Sequence, residues 1–295
     1  MIKNIHIFGA TSLTGEYFVK LVQKKLKNTK VFYYSRNKKK CSFLDLNEKI
    51  YKIKKPYEDH IIINVAPIWV FSEFIKEAYK SDPFIKRKLK AIITCSSSSI
   101  ITKKYSSNNF DKKLFKNLEK SEEDLKNICK NNDIFLSIVR PTLIYGKSFS
   151  NLDKNINFII KFLRKTPIIL FPKYSGKRQP IHASQLSEVL FNITYKIKKN
   201  NFPKFFTLNI GGDEEISYLN MIRLCLDKLN KKDLAKRTLI IKVPNKIFFF
   251  IFSPLILISP KNFEALLRIN SNLSGFTKVS TFNSVKEKKF PVQPY

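Results

Sequence analysis

Ile5-His6-Ile7-Phe8-Gly9-Ala10-Thr11-Ser12-Leu13-Thr14-Gly15 is the stretch on which the reading of the whole chain turns. The run from Lys3 to Phe8 predicts a buried strand. Gly9 to Gly15 follows as a turn, and an amphipathic segment with Phe18, Val19, Val22 and Leu26 on one face follows that. Strand, glycine turn and helix in this order form a dinucleotide-binding pattern. Gly9 permits the tight turn off the strand, and Gly15 permits close packing of helix on strand. Thr11, Ser12, Leu13 and Thr14 bring the backbone to a helix N-terminus, where free N–H groups and the helix dipole stabilise a pyrophosphate. The usual middle glycine is absent, and Ser12 stands in its place. Taken alone, the stretch also fits an ordinary glycine turn before a helix.

Working outward, the next segments keep the alternation. Val31 to Tyr34 reads as a second strand, followed by Ser35, Arg36 and three lysines beginning at Lys38. The end of this strand faces an adenosine ribose. An acidic residue there suits a free 2′-hydroxyl, and an arginine suits a 2′-phosphate. Ser35 and Arg36, with Lys38 nearby, therefore favour NADP over NAD, unless Arg36 is one more solvated cation. Cys41 to Leu46 is a short strand or turn whose Asp45 and Leu46 are placed for an adenine. Ile61 to Ala66 is a continuous apolar run, as a strand covered on both faces requires, and Pro67 follows at its carboxyl end. Phe74 to Tyr79 begins a helix. Leu89 to Cys95 is a further strand, with four serines, Ser96 to Ser99, after it. Lys112 to Asn131 is a charged helix, and Ile134 to Val139 a strand leading into Arg140-Pro141-Thr142-Leu143-Ile144-Tyr145-Gly146. Alternating strands and helices imply a parallel sheet with helices on both faces.

From Asn151 the character changes. Ile156 to Leu163 is helical, and Ile168 to Leu170 is a short strand. Arg178-Gln179-Pro180-Ile181-His182 precedes a helix capped at Ser184. Phe206 to Gly212 is a strand and turn, and a helix spans Ser217 to Leu229. Ile247 to Ile258 is apolar on all sides, flanked by Lys246 and Lys261 and broken by Pro254. It is shorter than the roughly 20 apolar residues that span a bilayer. It is either a helix buried in the second lobe or an interfacial anchor helped by positive charge.

Composition narrows the function classes. The chain has 295 residues, 43% hydrophobic and 26% charged, as expected of an ordered globular protein with a large core. The net charge is +32, but the lysines are spread along the chain among Asn, Ile and Phe. No zinc-finger, RNA-recognition or basic-zipper pattern accompanies them, so nucleic acid is not an expected partner. A diffuse positive field still attracts phosphorylated substrates. Cys41, Cys95, Cys129 and Cys225 lack metal-ligand spacing and suit reduced thiols in a cytoplasmic setting. A strand starting at residue 3 leaves no room for a signal peptide.

The glycine turn, the serine run, the Arg140–Gly146 segment, the Arg178–His182 segment and Asn209-Ile210-Gly211-Gly212 resemble, in order and spacing, the extended short-chain dehydrogenase/reductases, specifically the NAD-dependent epimerase/dehydratases of nucleotide sugars. The resemblance covers nearly the whole chain. It implies a Rossmann-type α/β fold with a doubly wound parallel sheet in residues 1–146, completed by segments near 178–212. An interleaved, smaller substrate lobe would occupy 147–295. It implies that Gly9, Gly15 and the Leu13 and Thr14 amides hold the pyrophosphate, that Asp45 and Leu46 sit by the adenine, and that Ala66 and Pro67 line the ribose side. Pro141 would pack near the nicotinamide. Ser98 would bond the substrate oxygen, and Arg178, with Gln179, would meet the nucleotide-sugar phosphate. A homodimer and peripheral membrane contact are compatible with it.

One departure bears on chemistry. The resembled family uses a Tyr four residues before a Lys as acid/base. Counting from Ser98, Lys120 matches the Lys and Lys116 occupies the Tyr place. Tyr105 and Lys103, in the loop after the serine run, are the replacement candidates. The expected function is that of an NAD(P)-dependent oxidoreductase or epimerase of a nucleotide-activated sugar in glycan biosynthesis. The alternative is a non-catalytic NADP-binding sensor or assembly subunit on the same fold.

Overall fold

The computed structural model describes residues 4–37, 41–47, 58–81, 88–282 and 285–292; Lys3 and Lys38 lie outside them. In the first half, β1 (Asn4–Phe8), α1 (Leu13–Lys25), β2 (Lys30–Ser35), β3 (Ser42–Phe43), β4 (His60–Asn64), α2 (Ile68–Ser81), β5 (Leu89–Cys95), α3 (Ser99–Thr102), α4 (Asn109–Asn131) and β6 (Phe135–Pro141) follow in order. The second half adds β7 (Ile144–Tyr145), α5 (Asn155–Leu163), β8 (Ile168–Pro172), β9 (Lys177–Arg178), β10 (Ile181–His182) and α6 (Ala183–Lys198). It ends with β11 (Phe205–Gly211), β12 (Ile216–Ser217), α7 (Tyr218–Asp227), β13 (Leu239–Val243), α8 (Asn245–Phe252), α9 (Leu255–Ile258), α10 (Pro260–Asn270) and β14 (Thr277–Lys278).

Eight strands form one sheet in the order β3-β2-β1-β4-β5-β6-β11-β14. Every neighbouring pair is parallel, with Ile5 opposite Val31 on one side and Ile61 on the other. The two-residue period of the strands sorts their side chains into two cores. Ile5, Ile7, Ile61, Ile63, Ala91 and Ile93 pack on one face against Phe18 and Val22 of α1 and Leu186, Val189 and Ile193 of α6. Phe8, Ile62, Ile92 and Ile138 pack on the other against Phe71, Phe74 and Ile75 of α2 and Leu118 and Leu125 of α4. Each fully buried large apolar side chain contributes on the order of 1.5–3 kcal/mol. Coverage on both faces is why Ile61-Ile62-Ile63 is apolar without alternation. The fold is therefore the doubly wound parallel α/β sheet expected. α6 and β11 lie beyond residue 146 yet complete it.

A smaller third core joins α5, α7 and β8, with Tyr145, Ile156, Ile160, Phe171, Met221 and Ile222 inside. β13 pairs with β8 in parallel.

Three local expectations change. α2 starts at Ile68 rather than near Phe74, because Ile68, Phe71 and Ile75 already supply the helical stripe. The cap of α6 is His182, not Ser184: its Nδ1 accepts from the Ser184 amide at 3.2 Å, and Gln185 accepts from the His182 amide. The 247–258 segment forms two short helices parted at Ser253 and Pro254. Phe248 is buried, but Phe250 is 80% exposed, Leu257 88% and Ile258 78%. A helix buried in the second lobe is therefore not what forms.

Candidate functional site

The sheet reverses its winding between β1 and β4, and a cleft of about 1250 Å3 opens at their carboxyl ends. Such a switch point is where open α/β sheets bind ligands. Gly9 has φ +76°, and a Cβ on it would lie 2.6 Å from the Ala66 nitrogen. A Cβ on Gly15 would lie 2.2 Å from the Gly9 oxygen. Neither position admits a side chain, so β1, the turn and α1 close to backbone contact. Ser12, in the place of the missing glycine, is the N-cap of α1 and accepts from the Gly15 amide at 3.1 Å. The next amides, Leu13 and Thr14, begin the helix with no intrahelical acceptor within reach.

The rest of the cleft is built by short-range hydrogen bonds. Buried Asn64 accepts from the Ala66 amide at 3.1 Å and donates to Thr94 at 3.0 Å, which sets the Ala66–Pro67 wall. Thr11 and Ser35 share a hydrogen bond of 2.7 Å, and Ser35 also accepts from the Asn37 amide. The Ser35 hydroxyl is therefore committed to shaping the turn. Arg36, Asp45 and Leu46 line the outer end, with Arg36 exposed. Asp45 is held below the ordinary carboxylate range, first by its hydrogen bond from the Asn47 amide and also by Arg36. Opposite, the segment after β7 straps across the turn. Asn151 donates to the Thr11 carbonyl at 2.7 Å, the Ser150 amide to Glu16 at 2.9 Å, and Tyr17 to the Lys147 carbonyl at 2.6 Å.

A second cleft of about 690 Å3 adjoins the first, and both are lined by Ile144, Lys154 and Asn155. Its walls are Ser96 to Ser99, Lys103, Thr142, Arg178, Gln179, Tyr218 and Arg268. Ser98 stands at the start of α3, its amide donating to the Pro141 carbonyl at 3.0 Å. Pro141 borders this second cleft rather than the first. Behind the serines lies a buried ionic group. Ser96 donates to Glu122 at 2.6 Å, and Arg140 grips the same carboxylate through Nε at 2.9 Å and Nη2 at 2.5 Å.

The sequence-predicted residues divide. Ser98, Lys103, Arg178 and Gln179 converge on the second cleft; Gly9, Thr11, Ser12, Leu13 and Thr14 converge on the first with Ser35, Arg36, Asp45, Leu46, Ala66 and Pro67, while Gly15 packs behind the turn. Lys120 does not. It is exposed on the outer side of α4 and pairs with Glu73 of α2 at 3.4 Å. The inward stripe of α4 is Leu118, Ser121, Glu122, Leu125 and Cys129, so Glu122 rather than Lys120 faces the sheet. Tyr105 is 88% exposed and lines neither cleft. Lys103 reaches the cleft but is tied to buried Asp111 at 2.5 Å. Burial alone would raise the Asp111 carboxyl, yet hydrogen bonds from Lys103, Asn108 and Arg268 outweigh it and hold the group at about 2. Arg178 is buried and already engaged. It donates to the carbonyls of Lys177, Ser271 and Arg268, and its guanidinium lies 4.8 Å from the Tyr218 ring centroid.

The Ser96–Glu122–Arg140 group, Tyr218, Lys154 and Arg268 were not singled out by sequence. For Glu122 a signal existed: the apolar stripe of α4 places it inward, whereas spacing from Ser98 pointed to Lys120. Tyr218 is raised above its ordinary value by burial, which Arg178 partly offsets, so it stays a protonated hydrogen-bond donor near neutral pH.

No family profile matches the sequence, and no curated protein matches it. Solved structures do. A UDP-glucuronic acid 4-epimerase mutant from Bacillus cereus, in complex with a UDP-fluoro-sugar and NAD, aligns with TM-score 0.63 at 15% identity over 97% of this chain and 94% of its own. A dTDP-glucose 4,6-dehydratase from Bacillus anthracis in complex with NAD aligns with TM-score 0.55 at 15% identity over 82% and 84%. A human epimerase family protein with NADPH aligns with TM-score 0.56 at 12% identity over 91% and 90%. The chain shares the Rossmann-type α/β fold of these solved sugar-nucleotide epimerases and dehydratases.

Proposed function

We propose that the chain binds a nicotinamide dinucleotide in the first cleft and acts, as an oxidoreductase or epimerase of glycan biosynthesis, on a nucleotide-activated sugar in the second. The observation that carries this reading is the meeting of the two clefts at Ile144, Lys154 and Asn155, at the carboxyl ends of the central strands. The first cleft fits such a cofactor: Gly9 lines it without a side chain, Gly15 lets α1 close on the turn, and the Leu13 and Thr14 amides offer donors to a pyrophosphate. Arg36 at its outer end favours a 2′-phosphate, hence NADP. A nicotinamide bound there supplies hydride exchange with a sugar carbon.

The chain's own groups then have distinct tasks. The Ser98 hydroxyl bonds the reacting oxygen. Ser96, whose hydroxyl donates to the Glu122 carboxylate held by Arg140, offers its oxygen to accept the proton that leaves the substrate hydroxyl as its own proton passes towards Glu122. The Lys103 ammonium places positive charge beside the serines. Lys154 and Arg268 meet the sugar-linked phosphates, while Arg178 and Gln179 hold the wall from behind. Tyr105 and Lys120 take no part.

A second reading is favoured by one feature: α4 carries no tyrosine, and Lys120 lies off its inward stripe. On that reading the fold is retained only to bind the dinucleotide. Thermal-shift titration with NAD(H), NADP(H) and a panel of UDP- and dTDP-sugars separates the two. Stabilisation by both ligand classes, with nucleotide sugars altering the fluorescence of bound NADPH, is expected. Stabilisation by dinucleotide alone would favour the binding subunit. Arg36→Ala should weaken NADP by about tenfold and NAD much less; equal weakening would remove the argument for NADP.

A further inference from the structure

We infer that α8 and α9 form a docking surface for an anionic lipid bilayer. The observation is an apolar face that nothing among the described residues covers. Phe248 turns inward and is buried, and the hydrogen bonds of Asn245 with the Tyr174 backbone anchor α8 to the segment after β8. Ile247, Phe250, Ile251, Ile256, Leu257 and Ile258 are all exposed. An exposed aromatic and aliphatic face on short helices, too short to cross a membrane, has the dimensions of an interfacial insertion. Among the described residues no helix is long and apolar enough to cross one.

Charge identifies the occupant. Between Asp233 and Glu264 the chain has no acidic residue. Lys246 and Lys261, both exposed, flank the apolar run. Lys173 and the exposed Tyr174 join this rim: Asn245, the first residue of α8, accepts from the Tyr174 amide at 3.0 Å and donates to its carbonyl at 2.9 Å. A tyrosine and lysines around an apolar face match the headgroup layer, where an amphipathic ring and ammonium groups are both satisfied. A second copy of this chain is the poorer occupant. Meeting through this face would set Lys173, Lys246 and Lys261 against their own counterparts, whereas acidic headgroups neutralise them.

The surface is wired to the second cleft. α10 leaves α9 directly, and its Glu264 accepts from the Ser107 and Asn108 amides, both at 2.7 Å, at the start of α4. Its Arg268 lines the cleft. At 1.5 Å per residue, Arg268 lies about 15 Å along this path from Ile258. A docked protein thus holds one wall of the cleft close to the bilayer.

Co-sedimentation of the full chain with lipid vesicles tests the inference. Binding to phosphatidylcholine vesicles containing phosphatidylglycerol is expected, with loss of about fivefold for each of Lys246→Glu and Lys261→Glu. The exposed double variant Phe250→Ser/Leu257→Ser should lose at least about tenfold while keeping the wild-type melting temperature. Failure of the wild type to sediment with the acidic vesicles overturns the inference, as does equal sedimentation of the double variant. A wild-type dimer in analytical ultracentrifugation that the double variant converts to monomer would also overturn it and assign the face to a second copy.

Discussion

At the scale of single residues, the glycine turn is governed by exclusion. Gly9 sits at positive φ against the Ala66 backbone, and Gly15 sits against the Gly9 carbonyl. Gly15→Ala is therefore expected to cost about 1–3 kcal/mol of stability, measured by urea unfolding, and to abolish dinucleotide binding. Two buried histidines set the response to acid. Burial, with His60 nearby, lowers His6 to about 3; burial, with Lys288 nearby, lowers His182 to about 4. Both are neutral in the folded chain, while the unfolded chain protonates them below the ordinary 6.5. Their stabilisation is full above pH 6.5 and is lost as pH falls below it, by about 1.4 kcal/mol per pH unit for each histidine. Urea midpoints should fall accordingly between about pH 7 and about pH 5, and His6→Gln should flatten the slope.

At the scale of elements, α4 decides the chemistry. Its helical stripe delivers Glu122, not Lys120, to the serines. Removing the carboxylate leaves the half-buried Arg140 without its main partner, so Glu122→Ala should cost about 1.5–3 kcal/mol. Glu122→Gln is nearly isosteric and should retain the fold. If Glu122 polarises Ser96, this variant should slow turnover without weakening the cofactor; unchanged turnover would remove Ser96 from the proton path. Lys120→Ala, at an exposed pair, should change stability by less than about 1 kcal/mol and leave turnover intact.

At the scale of the whole molecule, two clefts meet along the strap that follows β7. Lys154 borders both. Lys154→Ala should weaken the dinucleotide and the nucleotide sugar alike in calorimetric titration, whereas Lys103→Ala should weaken the sugar alone. If Lys154→Ala spares either ligand, the clefts do not act as one site.

The amino-acid sequence alone specifies the sheet and the turn. Ile61-Ile62-Ile63, the alternation of strands with helical stripes, and the spacing of Gly9 from Gly15 are local patterns, and local sterics and burial read them directly. It also held the inward face of α4, but spacing counted along the chain from Ser98 could not show which side of the helix meets the serines. Packing between distant segments settles that Arg178 is engaged by the carbonyls that end α10, that Tyr105 faces solvent, and that no described residue covers the apolar run after Lys246. These outcomes depend on which surfaces meet across 90 or more residues of separation, as between Arg178 and Arg268. Burial and charge pairing are properties of those meetings, and no local pattern in the chain encodes them.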